Sequence, residues 1–127
     1  MATLYTNKDA NIRKTWLLMT VFFGLGIGIG WVVSQIYQDP SILYLAIGFS
    51  VLMNVTSYWY SDKIALSLSG AAPANREENL ELFRLVENLS ITAGLPMPKI
   101  YIIPDSAPNA FATGRDKDHA VVAVTSG

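Results

Sequence analysis

His119 is the sole histidine in a chain without cysteine. Any metal chemistry therefore falls to one imidazole and to carboxylates. A zinc site takes three or four protein ligands drawn from His, Cys, Asp and Glu. Asp116 and Asp118 lie close to His119 in sequence, but Gly114-Arg115-Asp116-Lys117-Asp118 reads equally as a charged turn. A hydrolytic triad can be written from Ser106, His119 and Asp105, yet no nucleophile-elbow signature surrounds Ser106. Glu77, Glu78 and Glu81 offer clustered carboxylates at the start of a predicted helix. There the helix dipole favours negative charge whether or not any chemistry is done. Four glycines at positions 24, 26, 28 and 30 lie inside an apolar run, not in a phosphate-binding loop after a strand. Taken residue by residue, the chain holds no complete active site.

The elements that must carry these groups follow from composition and charge. The chain has 127 residues, 51% of them hydrophobic and 15% charged, with a net charge of −1. Soluble domains carry about 25% charge, so the deficit points to a membrane protein. The absence of a basic excess argues against a nucleic-acid partner. Residues 15–38 and 40–61 are free of Asp, Glu, Lys and Arg, and Asp39 stands between them. A helix of about 20 apolar residues crosses a bilayer, so two spans are predicted, at 16–36 and 42–60. They are joined by a turn over 37–41 in which Pro40 stops the helix. A cleaved leader is the rival for the first span, but the run is long for one and a second span follows directly. Lys8, Arg13, Lys14 and Lys63 flank the hairpin and its loop has no Lys or Arg, which predicts both ends in the cytoplasm. Aromatic residues, among them Trp16, Tyr37, Tyr58, Trp59 and Tyr60, gather near the predicted span ends as interfacial belts. Gly24/Gly28 and Gly26/Gly30 form small-xxx-small pairs, suited to packing within the hairpin or to self-association of the chain. Asn54, deep in the second span, is expected to hydrogen-bond across helices.

Beyond Ser61 charge returns, and 64–75 can prolong the second helix before a break near Gly70 and Pro73. A helix is predicted over 76–93. Asn75 is its N-cap, with Glu78 completing a capping box. Leu82, Phe83, Val86 and Leu89 form its apolar face, and Gly94 ends it. Strands are predicted at 100–103, 110–113 and 120–124, linked by turns as a β-meander. A core built on so few elements is marginal without staples, so the segment is expected to open a larger domain.

The run Gly94-Leu95-Pro96-Met97-Pro98-Lys99-Ile100-Tyr101-Ile102-Ile103, followed by Pro108-Asn109-Ala110-Phe111-Ala112-Thr113-Gly114-Arg115, resembles the HtpX-like membrane-bound zinc metalloproteases. These are bacterial quality-control and stress-response endopeptidases. The likeness extends from the basic N-terminus to the closing HAVVAVTSG. It implies a transmembrane α-helical hairpin followed by the start of an α+β gluzincin-like protease domain, one helix and then the meander. The implied boundaries are a cytoplasmic N-terminus at 1–15, a two-span hairpin at 16–61, a juxtamembrane linker at 62–75 and an incomplete protease domain at 76–127. The implied location is the bacterial plasma membrane, with the N-terminus and the protease domain cytoplasmic. The implied partners are the lipid bilayer and protein or peptide substrates. In such proteases an H-E-x-x-H helix binds zinc and activates water. That motif does not occur in these residues, so no zinc ligand is assigned, and the chain is expected to be an inactive N-terminal portion. The resemblance makes Asn109, Ala110, Phe111 and Ala112 candidate substrate-side residues, since an edge strand can hold an extended peptide by main-chain pairing. An Asx-type turn cap for Asn109 and a core position for Phe111 stand beside that reading. The alternative for the whole chain is a non-enzymatic two-span membrane protein with a small cytosolic partner-binding module.

Overall fold

A computed structural model describes residues 4–127. It divides at Ser57/Tyr58 into two compact units. The first contains helix α1 (Leu4–Tyr37) and the opening of helix α2 (Ser41–Leu68). Both are long and apolar enough to cross a membrane. α1 begins well before the predicted span, so the charged segment holding Lys8, Arg13 and Lys14 is helical too.

The turn between the helices is built from its own side chains. Gln38 takes a left-handed conformation at φ 55°, and the Asp39 N–H donates to the Ser34 carbonyl at 3.1 Å. That is the six-to-one bond of a Schellman end, with glutamine in the place usually held by glycine. The Asp39 carboxylate then accepts from the Ser41 N–H at 2.9 Å and from the Ser41 hydroxyl, capping the start of α2.

The helices approach where side chains are missing. A Cβ on Gly26 would lie 2.0 Å from the Ser50 hydroxyl, and one on Gly30 would lie 2.2 Å from the Ala46 Cβ. Gly26 and Gly30 are thus used inside the hairpin, whereas a Cβ on Gly24 or Gly28 would meet nothing within 4 Å. Asn54 corrects an expectation. Its amide donates to the Ser50 carbonyl of its own helix at 3.1 Å, not to the neighbouring helix. In an apolar surrounding, the nearest open acceptor, one turn back, satisfies it at no cost in helix packing. Gly30→Leu drives a branched side chain into Ala46 and should weaken the hairpin by about 1–3 kcal/mol, the usual range for overpacking. A disulfide between cysteines introduced at positions 26 and 50, which lie together in the hairpin, should form less efficiently in that variant, and an unchanged yield would exclude the contact.

The second unit starts inside α2, which continues to Leu68. The chain turns at Gly70 (φ 65°) and enters the two-residue strand β1 (Ala72–Pro73). Part of the stretch expected as a linker is therefore helix end and sheet edge. Helix α3 (Leu80–Ala93) begins four residues later than predicted. Asn75 does cap, but it caps a separate turn. Its side chain accepts from the Glu77 N–H at 3.0 Å and donates to Glu78 at 3.3 Å. Asn79, at φ −125° and ψ 36°, then interrupts the helical path before α3 starts. The predicted end holds. Gly94 is left-handed at φ 65°, and the Leu95 N–H donates to Ser90 at 3.0 Å. The predicted face is only partly covered: Leu82, Phe83 and Val86 are half-buried, while Leu89 is exposed.

Strands β2 (Lys99–Ile103), β3 (Ala110–Thr113) and β4 (Val121–Thr125) fall within a residue of the predicted ranges. Their order does not follow a meander. The sheet runs β1-β2-β4-β3, with β2 parallel to β4 and β3 antiparallel to it. The chain leaves β2, crosses over through 104–109 and returns as the β3–β4 hairpin with β4 on the inside. The reason is visible in the strands. Val121-Val122-Ala123-Val124 is apolar on both faces, as a central strand must be. β3 carries small, exposed Ala110 and Ala112 on one face, which suits an edge. Val121 is 3% exposed and Ala123 0%. They form the core with Leu66 of α2, and Ala71, Tyr101, Ile103 and Phe111 pack around them.

Candidate functional site

The candidate residues Asn109, Ala110, Phe111 and Ala112 lie together on β3 and at its entry. Their roles divide by strand alternation. Phe111 pairs with Ala123 and packs on the core, so its side chain serves the fold. Ala110 and Ala112 point their side chains to the other face and are exposed.

The main chain of β3 divides the same way. The Thr125 N–H donates to the Asn109 carbonyl at 3.0 Å, which makes 109/125 a hydrogen-bonded pair. Counting along the register Ala110↔Val124, Phe111↔Ala123, Ala112↔Val122 and Thr113↔Val121, the bonded pairs recur at 111 and 113. The N–H and C=O groups of Ala110 and Ala112 therefore point away from β4, toward the outer edge of the sheet. The opposite edge is different. β1 has two residues, and one of them is Pro73, which has no N–H to offer. β3 is thus the edge fitted to accept another strand.

Two residues that sequence reasoning passed over hold this edge in place. Thr125 is one. Its hydroxyl donates to the Asn109 carbonyl at 3.0 Å and accepts from the Asn109 N–H at 2.8 Å. Nothing in the sequence signals a tie across so many residues. Arg115 is the other, and it acts through the turn that links β3 to β4. Asp116 caps the short 3-10 turn Lys117–His119, accepting from the N–H groups of Asp118 at 3.0 Å and His119 at 2.9 Å. The His119 Nδ1 lies 2.6 Å from the same carboxylate oxygen, and the Arg115 guanidinium lies 2.7 Å from Nε2. Guanidinium only donates, so Nε2 accepts and Nδ1–H donates to Asp116.

The side-chain hydrogen bond from His119, aided by the backbone N–H groups of His119 and Asp118, holds the Asp116 carboxyl below the usual carboxylate value. A group with a depressed folded pKa contributes stability fully above its unfolded value, here 3.8. That contribution fades as pH falls through the folded value. The turn should therefore hold down to about pH 4 and loosen below it, and Asp116→Asn should remove that acid transition. Amide exchange of residues 114–120 followed across pH checks this; an acid transition that persists in Asp116→Asn would contradict it.

The same geometry decides the metal question. Both ring nitrogens of His119 are occupied, with a cation against one of them. Among the described residues no group of three His, Asp or Glu side chains is placed to hold a metal ion. The zinc that the family resemblance implies does not fit the donor set of these residues. The formal triad is not assembled either. Asp105 accepts from the Ala107 N–H at 2.9 Å in its own turn, and His119 faces Asp116.

Residues 76–127 match Peptidase family M48, a family of metalloproteases. The chain is 54% identical over 96 residues to a protein named Protease HtpX homolog from Desulfatibacillum aliphaticivorans, covering 76% of this chain and 31% of that protein. A Protease HtpX homolog from Thermococcus kodakarensis is 45% identical over 90% of this chain and 38% of its own length. Another, from Thermoanaerobacter pseudethanolicus, is 45% identical over 98% of this chain and 42% of its own length. The chain thus spans between about a third and two fifths of the length of these relatives. No solved structure matches.

Proposed function

From the chain's membership of the HtpX-like proteases of peptidase family M48, we propose that it forms the membrane-anchoring and substrate-edge portion of a zinc-dependent endopeptidase of protein quality control. The two apolar helices hold the segment at a membrane, and the flanking Lys and Arg put its N-terminus and sheet on the cytoplasmic side. The reaction needs zinc-binding residues that are not among those described. The share of chemistry carried here is positioning. β3 pairs with an extended peptide through outward main-chain groups of Ala110 and Ala112, and holds it in line as an added strand.

The observation that carries this reading is the asymmetry of the sheet. One edge ends in a two-residue strand with proline, and the other offers outward main chain that no strand of the sheet covers, flanked by small side chains. Ala110 and Ala112 leave room for the substrate's own side chains on that face. Phe111 anchors the strand to the core from the other face, so the edge stays straight under load.

The chain in detergent micelles, titrated with an alternating Thr-Val hexapeptide, tests the proposal through its amide NMR signals. Shifts centred on Ala110–Thr113 are expected. Shifts centred on Ala72, or none at millimolar peptide, would contradict it. The glycines at 24 and 28, left uncovered in the hairpin, are the positions through which the helices would self-associate, in place of all four glycines.

A further inference from the structure

The open edge of β3 is not uniformly open. The Asn109 side-chain oxygen accepts from the N–H of Ala110 at 2.9 Å. By the register of the β3–β4 pair, that N–H is the first of the two donors that β3 turns toward its free edge. Asn109 itself is held from behind, its N–H and carbonyl both tied to Thr125. The backbone that carries the amide is therefore held to β4, and the amide caps one end of the edge. What remains for an incoming strand is the carbonyl of Ala110 and both groups of Ala112.

We propose that Asn109 sets the register of the bound peptide by occupying the Ala110 N–H, so that strand addition begins at Ala112. This rests on the reading of β3 as the substrate edge and adds to it. A peptide strand can end its pairing at Ala112 or carry it on to Ala110. With the first donor already satisfied, pairing that ends at Ala112 keeps all its hydrogen bonds, and pairing carried on to Ala110 leaves one unmade. The partner carbonyl that would face Ala110 finds no donor, and an unmade hydrogen bond is costly where water is excluded. Asn109 is thus a positioning residue. It does not touch the reacting bond, and it acts by removing an alternative. Asparagine suits the task because its short side chain carries an acceptor that reaches the next backbone N–H.

Amide hydrogen exchange separates this proposal from the reading beneath it. In the native chain in detergent micelles, the Ala110 amide should exchange slowly and the Ala112 amide quickly. The alternating Thr-Val hexapeptide should protect Ala112 and leave Ala110 unchanged. In Asn109→Ala the Ala110 amide should exchange quickly without peptide and become protected with it. Affinity should then rise about 2–10-fold, the worth of one hydrogen bond. Asn109→Asp, which keeps the acceptor, should restore the native pattern. Protection of Ala112 accompanied by equal affinity in the native chain and Asn109→Ala would overturn the register role while leaving the substrate edge standing. No protection of Ala112 in any of the three proteins would overturn both. Far-UV circular dichroism confirms that each variant is folded, since Asn109 lies outside the core.

Discussion

Replacing Ala112 by proline should weaken binding of an extended peptide by about tenfold while leaving the fold in place. The N–H of Ala112 points away from β4, so proline removes no bond from the sheet. Proline is tolerated on edge strands for this reason. The residue before it, Phe111, already has the extended backbone that a following proline demands. The ring fills the space that a partner carbonyl would enter and removes the donor that would meet it. Loss of one or two main-chain hydrogen bonds at about 0.5–1.5 kcal/mol each accounts for the factor. Peptide titration and thermal unfolding are to be read together. Lost binding with a retained melting transition is the expected pair. Retained binding would mean that the peptide contacts some other part of the sheet.

The second large effect is on the fold that presents this edge. Gly114, where β3 passes into the Asp116 turn, sits at φ 139°. That is a backbone conformation that side chains disfavour at about 1–3 kcal/mol. It has no room either. A Cβ there would lie 2.5 Å from the His119 carbonyl oxygen and 2.9 Å from the Ala120 Cα, both backbone atoms that cannot step aside. Gly114→Ala should therefore destabilise the sheet by about 3 kcal/mol, a large share of what a small domain possesses. Limited proteolysis should cut between residues 104 and 120 in the variant and spare the membrane helices. Gly94→Ala is the instructive contrast. Gly94 is also left-handed, at φ 65°, but a Cβ there meets nothing, so only the conformational part of the cost applies. Resistance of Gly114→Ala to protease at the native level would show that the hairpin has a different path.

These expectations depend on details that sequence reading reaches unevenly. The two spans were legible because charge is absent from 15–38 and 40–61. The helix end at Gly94 and the strand at 110–113 were legible because a left-handed glycine and a β-rich run between turns are local signals. Strand order was not, since no local feature says whether β4 pairs with its neighbour in sequence alone or also slides in beside β2. A hint lay in Val121-Val122-Ala123-Val124, apolar at successive positions, which marks a strand covered on both faces. β1 was hidden by its length and by Pro73, a residue that argues against a strand everywhere except at an edge. Asn75 was read correctly as a cap and wrongly as the start of α3, because a capping sequence does not say whether the next turn propagates. Asn54 went astray for a related reason: an amide in an apolar span must be bonded, and its own helix was an available partner.

The site divides similarly. The string Asn109-Ala110-Phe111-Ala112 was found as a unit, but the chemistry of each member came only with the register. Alternation along β3 gives Phe111 to the core and the main chain of Ala110 and Ala112 to the edge. The bond from Ala110 to the Asn109 side chain depends on a rotamer that no sequence pattern specifies. His119, the residue with most chemical capacity on paper, is committed to Asp116 and Arg115. It closes the turn behind the edge and takes no part in a metal site among the described residues.

The most direct test of strand addition at β3 uses the absence of cysteine from the chain. A single cysteine is introduced as Ala110→Cys, whose side chain is exposed, and Ala72→Cys serves as the control on the other edge. The hexapeptide carries one cysteine, moved through each position in turn, and disulfide formation with the chain in micelles is measured by mass. A peptide held as a strand presents alternate side chains to the same face. Crosslinking to Ala110→Cys should therefore rise and fall with a period of two residues, and Ala72→Cys should crosslink weakly and without a period. A flat profile at Ala110→Cys, or a stronger one at Ala72→Cys, would contradict β3 as the edge that holds the substrate.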